Sequence, residues 1–155
     1  MSHLLGEFDC KIDTKGRLMI PSGLKKQLPS NLVSLVVNRG FEQNLVLYTR
    51  LEWDSIILEL SRLNTYEKRN RDFVRYFTRG ATEISIDNAS RILLPKVLLD
   101  YARISGEVVL LCQLNKIEIW DKSIYESQLD NEPENFAKLA EEVMGKNQSL
   151  MINEQ

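Results

Sequence analysis

Two short stretches hold residues suited to recognising an anion or the edge of a base: 13-DTKGR-17 and 87-DNASR-91. In each, an aspartate stands four positions before an arginine. Asp13 and Asp87 are 74 positions apart, as are Arg17 and Arg91. An aspartate at the start of a tight turn accepts hydrogen bonds from the N–H groups of its own loop. Gly16 can take a positive φ at little steric cost, which closes the loop. An arginine held on such a loop offers a planar fork of donors that matches a guanine edge or a phosphate. Lys15 suits phosphate as a point charge. Lys25, Lys26 and Lys11 stand near enough in sequence to widen the cationic surface.

The elements that position these turns also come twice. Phe8, Cys10 and Ile12 alternate with polar residues, which predicts a strand with one buried face, and Leu18 and Ile20 resume the alternation after the turn. Pro21 then ends the strand and opens a helix with Leu24 and Leu28 in register. The runs 32-LVSLVV-37 and 45-LVLY-48 predict a hairpin around Gly40. The second half repeats this order through Ile84, Ile86, Ile92, Leu94, Pro95, Leu98, 108-VVLLC-112 and 117-IEIW-120. Each half reads as β-turn-β-α-β-β, and repeats this short bury their apolar faces against each other.

Helical periodicity takes over between and after the halves. Trp53, Ile56, Ile57, Leu60 and Leu63 mark one amphipathic helix, and Leu63, Tyr66, Phe73 and Phe77 the apolar side of a second. Lys68, Arg71, Arg75 and Arg79 occupy another face of the second helix, where a solvated or subunit-facing surface is expected before a nucleic-acid contact. A further helix pair is expected around Pro133, with Phe136, Leu139, Ala140 and Val143 apolar, followed by a frayed end. The expected units are 5–50, connecting helices over 51–79, 80–122, C-terminal helices over 123–145 and a flexible tail over 146–155.

With 155 residues, 43% apolar and 27% charged, the composition is that of a soluble globular protein. No apolar run approaches the roughly 20 residues of a membrane span, and MSHLLGEFDC lacks the design of a signal peptide. A cytoplasmic protein with no membrane partner is expected. Cys10 and Cys112 sit in apolar-alternating runs and read as small buried hydrophobes in a reducing compartment. The net charge of −2 conceals a gradient: residues 1–40 carry six Lys/Arg against three Asp/Glu, and residues 123–155 two against seven. At contact range a phosphate backbone responds to that local field rather than to the total.

Enzymatic chemistry finds little to work with. The one histidine is His3, the two cysteines offer no zinc spacing, and neither a phosphate-binding glycine loop nor a nucleophile elbow is present. No catalytic residue, metal or cofactor is expected.

The duplicated turn carries a resemblance. Residues 5–145 resemble the MraZ family of bacterial transcriptional regulators, and each half is similar to the AbrB-type swapped-hairpin DNA-binding unit, whose Asp-x-x-Gly-Arg followed by apolar-x-apolar-Pro is matched by DTKGRLMIP. The resemblance implies an α+β fold: a swapped-hairpin β-barrel built from both halves, with peripheral helices, assembled into a ring-shaped homo-oligomer. It implies binding to double-stranded DNA with short direct repeats upstream of the division and cell-wall gene cluster, usually as a repressor, and association with the nucleoid. Lys15 and Arg17 carry over as DNA-binding residues, with Asp13 and Gly16 shaping their loop. Arg91 and Asp87 carry over in the second half. DNASR departs from the glycine form, with Ala89 in place of Lys15 and Ser90 in place of Gly16, so the first half is expected to dominate contacts. The competing expectation is an oligomeric scaffold that holds protein partners without specific DNA binding.

Overall fold

The computed structural model describes residues 3–130 and 133–153. In chain order the elements are β1 (Glu7–Lys11), β2 (Arg17–Met19), α1 (Ser22–Lys25), β3 (Ser34–Arg39), β4 (Leu45–Tyr48), α2 (Arg50–Ser61), α3 (Lys68–Thr78), β5 (Thr82–Ser85), β6 (Arg91–Leu93), α4 (Lys96–Tyr101), β7 (Glu107–Gln113), β8 (Lys116–Asp121), α5 (Lys122–Leu129) and α6 (Phe136–Asn153). The fold is a mixed α+β one with antiparallel pairing throughout. Six strands form one sheet in the order β1-β7-β8-β4-β3-β5, and β2 and β6 form a separate two-stranded ribbon.

The sheet order reads the same from either end once the repeats are exchanged, because β1 corresponds to β5, β7 to β3 and β8 to β4. Among the ladders of the described residues, only the β3–β4 and β7–β8 hairpins lie within a half; β1 with β7, β4 with β8, β3 with β5 and β2 with β6 all pair between halves. The duplication is thus built into the hydrogen-bond ladder and not merely into the chain order.

The closed barrel expected from the resemblance is not formed among the described residues. The ribbon meets the edges of the six-stranded sheet at single bridges, Ile12 with Leu18 and Ile86 with Ile92. Length explains this. Pro21 and Pro95 stop β2 and β6 after three residues each, so neither strand is long enough to build a ladder with two neighbours.

Alternation along the strands distributes the core to both faces of the sheet. Leu35, Val37, Leu45, Leu47, Val108, Leu110, Ile117 and Ile119 pack with Leu18, Ile92, Leu24 and Leu98 in the principal core. On the opposite face Val36, Val46 and Tyr48 pack with Trp53 of α2, joined by Phe77 of α3. β4 is buried at every position because both of its faces are covered. Edge strand β1 alternates instead, as a strand with one solvated face should.

Some sequence expectations shift by a turn. α1 is a single turn ending at Lys25, so Leu28 is buried beyond the helix rather than on it. Leu63 and Tyr66 precede α3, and Tyr66 is 94% exposed. Cys10 and Cys112 are half-buried free thiols packed against the principal core, and desolvation pushes the Cys10 pKa up to about 11. Residues up to Ile124 form one compact unit and those from Tyr125 a second. In the second, α6 continues through Asn153, where the sequence suggests a frayed end; residues 154–155 of that expected tail lie outside the described residues. No described helix is long and apolar enough to cross a membrane.

Candidate nucleic-acid interface

Both turns are built on one hydrogen-bond plan. In the first, Asp13 Oδ1 accepts from the backbone N–H of Lys15 and of Arg17, each at 2.9 Å, while Oδ2 accepts from Arg17 Nε at 2.7 Å. The loop closes through Asp13 N to Arg17 O and Gly16 N to Asp13 O, both 3.0 Å. In the second, Asp87 Oδ1 accepts from Ala89 N at 2.8 Å and Arg91 N at 2.9 Å, and Oδ2 from Arg91 Nε at 3.0 Å. Three donors on each carboxylate favour its charged form. Asp13 and Asp87 accordingly titrate below the usual carboxylate range, chiefly through the backbone N–H of the arginine four residues on, opposed by partial desolvation.

Each aspartate therefore does more than shape its loop. By engaging Nε it fixes the plane of the guanidinium and leaves the two terminal nitrogens, with their four N–H donors, turned to other partners. No other bond to either guanidinium occurs among the described residues. The arginines do not extend freely from their turns. They are pinned at about one-third exposure, 33% for Arg17 and 35% for Arg91.

The ribbon brings the two arginines onto one surface. Arg17 pairs with Leu93, Leu18 with Ile92 and Met19 with Arg91. Leu94 N donates to Gly16 O and Ile20 N to Ser90 O, each at 2.9 Å, so the Arg17–Leu93 and Met19–Arg91 pairs fall at the closer, non-hydrogen-bonded positions of the ladder. Directly opposed residues share a face. Leu18 and Ile92 point inward with 0% exposure, which puts Arg17, Leu93, Met19 and Arg91 together on the outer face. The arginines stand on a diagonal, on the order of 7–8 Å apart at the backbone. Met19 and Leu93 lie between them, 59% and 57% exposed. Sequence reasoning missed these two as surface residues; their position midway between inward-facing neighbours on a three-residue strand is the signal that identifies them.

The remaining cations separate into groups. Lys15 lies exposed on the first turn. Lys25 and Lys26 are exposed on and just after α1, and Lys25 reaches the second turn: its Nζ donates to Ser90 Oγ at 2.5 Å. Lys11 is exposed on β1 opposite Glu107 of β7, so a carboxylate stands across the strand pair from it. On α3, Lys68 and Arg75 are both bonded to Asp72, and Arg71 donates to the carbonyls of Thr65 and Tyr66. That helix face is locally satisfied and is not part of the ribbon surface. Arg39 bonds the carbonyls of Tyr76 and Arg79, with its guanidinium over the rings of Tyr76 and Tyr101.

Gly16 and Ser90 both have positive φ, 87° and 61°. The serine is accommodated in a backbone conformation that favours glycine. Among the described residues no group of three or more His, Cys, Asp or Glu side chains is placed to hold a metal ion.

Comparison with known proteins finds the same duplication. The model of a family described as MraZ protein, antitoxin-like, matches twice, over residues 3–76 and 77–147. A protein of Christiangramia forsetii named transcriptional regulator MraZ is 46% identical over 147 residues, covering 94% of this chain and 95% of its own. One of the same name from Flavobacterium psychrophilum is 46% identical, covering 94% of both chains, and one from Cytophaga hutchinsonii is 35% identical over 93% of this chain and 96% of its own.

Proposed function

The chain belongs to the MraZ family, and from that membership and the geometry of the ribbon we propose that it is a DNA-binding transcriptional regulator that meets duplex DNA with the outer face of β2 and β6. MraZ is a family of transcriptional regulators and not of enzymes. One observation carries the reading: Arg17 and Arg91 lie on one exposed face, each held through Nε by its own aspartate. A major groove admits a two-stranded ribbon, and an arginine with its terminal nitrogens presented pairs with a guanine edge or a phosphate. Lys15 adds a phosphate contact. Met19 and Leu93 present apolar surface of the kind that meets a thymine methyl group.

The exchange of strands between halves supports a swapped-hairpin origin for the unit. Exposed Leu51 and Leu58 on α2 and Phe73 and Tyr76 on α3 support self-association. In a ring of copies, direct repeats upstream of the division and cell-wall gene cluster would engage several ribbons at once. Such multivalency raises binding by roughly 10²–10⁴ over a single contact when the geometry permits. The usual outcome at the promoter is repression, and the protein works in the cytoplasm at the nucleoid.

Fluorescence anisotropy tests this with a duplex from upstream of the protein's own gene, carrying one repeat or several, at two salt concentrations and with oligomer size measured. Native protein should prefer several repeats, and Arg17→Ala and Arg91→Ala should each lose that preference in an intact oligomer. Equal, weak binding of all three proteins to any duplex would overturn the reading in favour of a protein scaffold.

A further inference from the structure

The two turns differ, and the difference is made up from the opposite half. At the first turn the cation is in the loop, Lys15, and the helix residue facing the loop is apolar: a Cβ added to Gly16 would lie 3.4 Å from Leu99 Cδ1 of α4. At the second turn the loop positions are Ala89 and Ser90, neither charged. The helix residue that faces it is Lys25 of α1, 74 positions before Leu99 and so its repeat equivalent. Lys25 Nζ donates to Ser90 Oγ across 65 residues of sequence. The positive charge has changed places, from the turn to the helix of the other half that packs on it.

Lys25 lies at a groove with no carboxylate opposite it among the described residues. This open groove of about 440 Å³ between α1 and the second turn is lined half by apolar side chains such as Ile20, Leu28 and Ile86 and half by Ser22, Lys25, Lys26, Ser30 and Ser90, and none of its described lining residues is a carboxylate. The same arrangement is not repeated on the other side, because the equivalents of Lys25 and Lys26 are Leu99 and Asp100. Ser90 Oγ accepts from Lys25, which leaves its O–H hydrogen to donate, and an ammonium group has three N–H donors of which this bond uses one.

We propose that this groove is a phosphate site for duplex DNA, in which Lys25, supplied by the first half, serves the second turn as Lys15 serves the first. The Ser90 hydroxyl and the remaining Lys25 N–H donors converge on one backbone phosphate beside the base step that Arg91 reaches, with Lys26 adding to the field. The inference rests on the DNA-binding reading above and deepens it: the second turn is a full contact point and not a weaker copy.

The test follows the salt dependence of operator binding by anisotropy, for native protein, Lys25→Ala and Lys25→Ala combined with Ala89→Lys, each confirmed as an intact oligomer. A lost phosphate contact lowers the slope of log K against log salt by about 0.9 for each ribbon engaged. Lys25→Ala should show that drop equally on operator and on an unrelated duplex, since phosphate contacts carry no base preference. Ala89→Lys, which returns the cation to the loop, should restore the slope. An unchanged slope in Lys25→Ala, or a loss that Ala89→Lys fails to restore, overturns the proposal while leaving the ribbon reading standing. Native protein without salt-dependent binding to either duplex overturns both.

Discussion

Leu18 and Ile92 occupy the same position in the two copies of the repeat, and they lie directly opposite each other in the β2–β6 ribbon. The local twofold relation between the halves therefore passes between these two side chains. Everything placed on the ribbon by one half is answered by the other: Arg17 against Leu93, Met19 against Arg91. A second crossing lies at the centre of the large sheet, where Val46 of β4 is opposite Glu118 of β8, its equivalent. A single chain thus reproduces internally the self-complementary interface that a symmetric dimer forms from two chains.

Arg17→Lys tests whether pinning matters beyond charge. Lysine keeps the positive charge and lacks both the Nε bond to Asp13 and the planar fork. Operator affinity should fall about tenfold or more, while thermal unfolding shifts little because the site is partly exposed. Native-like affinity would show that the charge alone suffices.

The exposed pair between the arginines offers a sharper probe. Met19→Glu places a carboxylate on the outer face beside Arg91 and removes no core contact, so stability should stay within about 0.5 kcal/mol of native. DNA binding should fall by about tenfold or more, since the carboxylate neutralises the arginine and repels phosphate. Circular dichroism melts and anisotropy on one preparation separate the two effects; unimpaired binding would remove the ribbon face from the interface.

Acid should loosen both turns. Asp13 and Asp87 have folded pKa values below the unfolded value of about 3.9, so their contribution is present above that value and is lost as pH falls through the lower folded values. The double variant Asp13→Asn, Asp87→Asn should be less stable than native in urea at about pH 6, and the gap should narrow as pH falls below about 3.9. A constant gap across that range would show that these carboxylates do not couple folding to pH.

Exchanging the third loop residue should act in opposite directions. Gly16→Ser forces a side chain into a positive φ and brings Cβ to 3.1 Å from Leu94 O, which should cost about 1–3 kcal/mol in chemical denaturation. Ser90→Gly relieves a left-handed serine and should raise stability by up to about 1 kcal/mol. Equal effects of the same sign would mean that the turns are not strained as their backbone angles indicate.

Strands, prolines and repeat were readable because each leaves a local mark: alternation in Phe8, Cys10 and Ile12, a break at Pro21, and a second copy of both downstream. Strand partners were not. Period-2 alternation names the buried face of β1 but not β7 as its neighbour, since pairing is decided by packing between halves. The aspartates were readable as loop formers because their backbone bonds span at most four residues. The bond from Lys25 to Ser90 was not, because no sequence pattern links residues 65 positions apart. Met19 was hidden by its chemistry: an apolar residue in an apolar run reads as core, and only the register of a three-residue strand turns it outward.

The pairing of equivalent strands also bears on how the protein is made. When β2 leaves the ribosome its partner lies 74 residues behind, a delay of roughly 4–15 s at ordinary elongation rates of about 5–20 residues per second. For that interval the nascent chain exposes the edge of a half-built ribbon, and the β6 of a neighbouring nascent chain fits it as well as its own. Synthesis across residues 20–90 sets the length of that interval, in which strand exchange between chains competes with closure of one chain on itself.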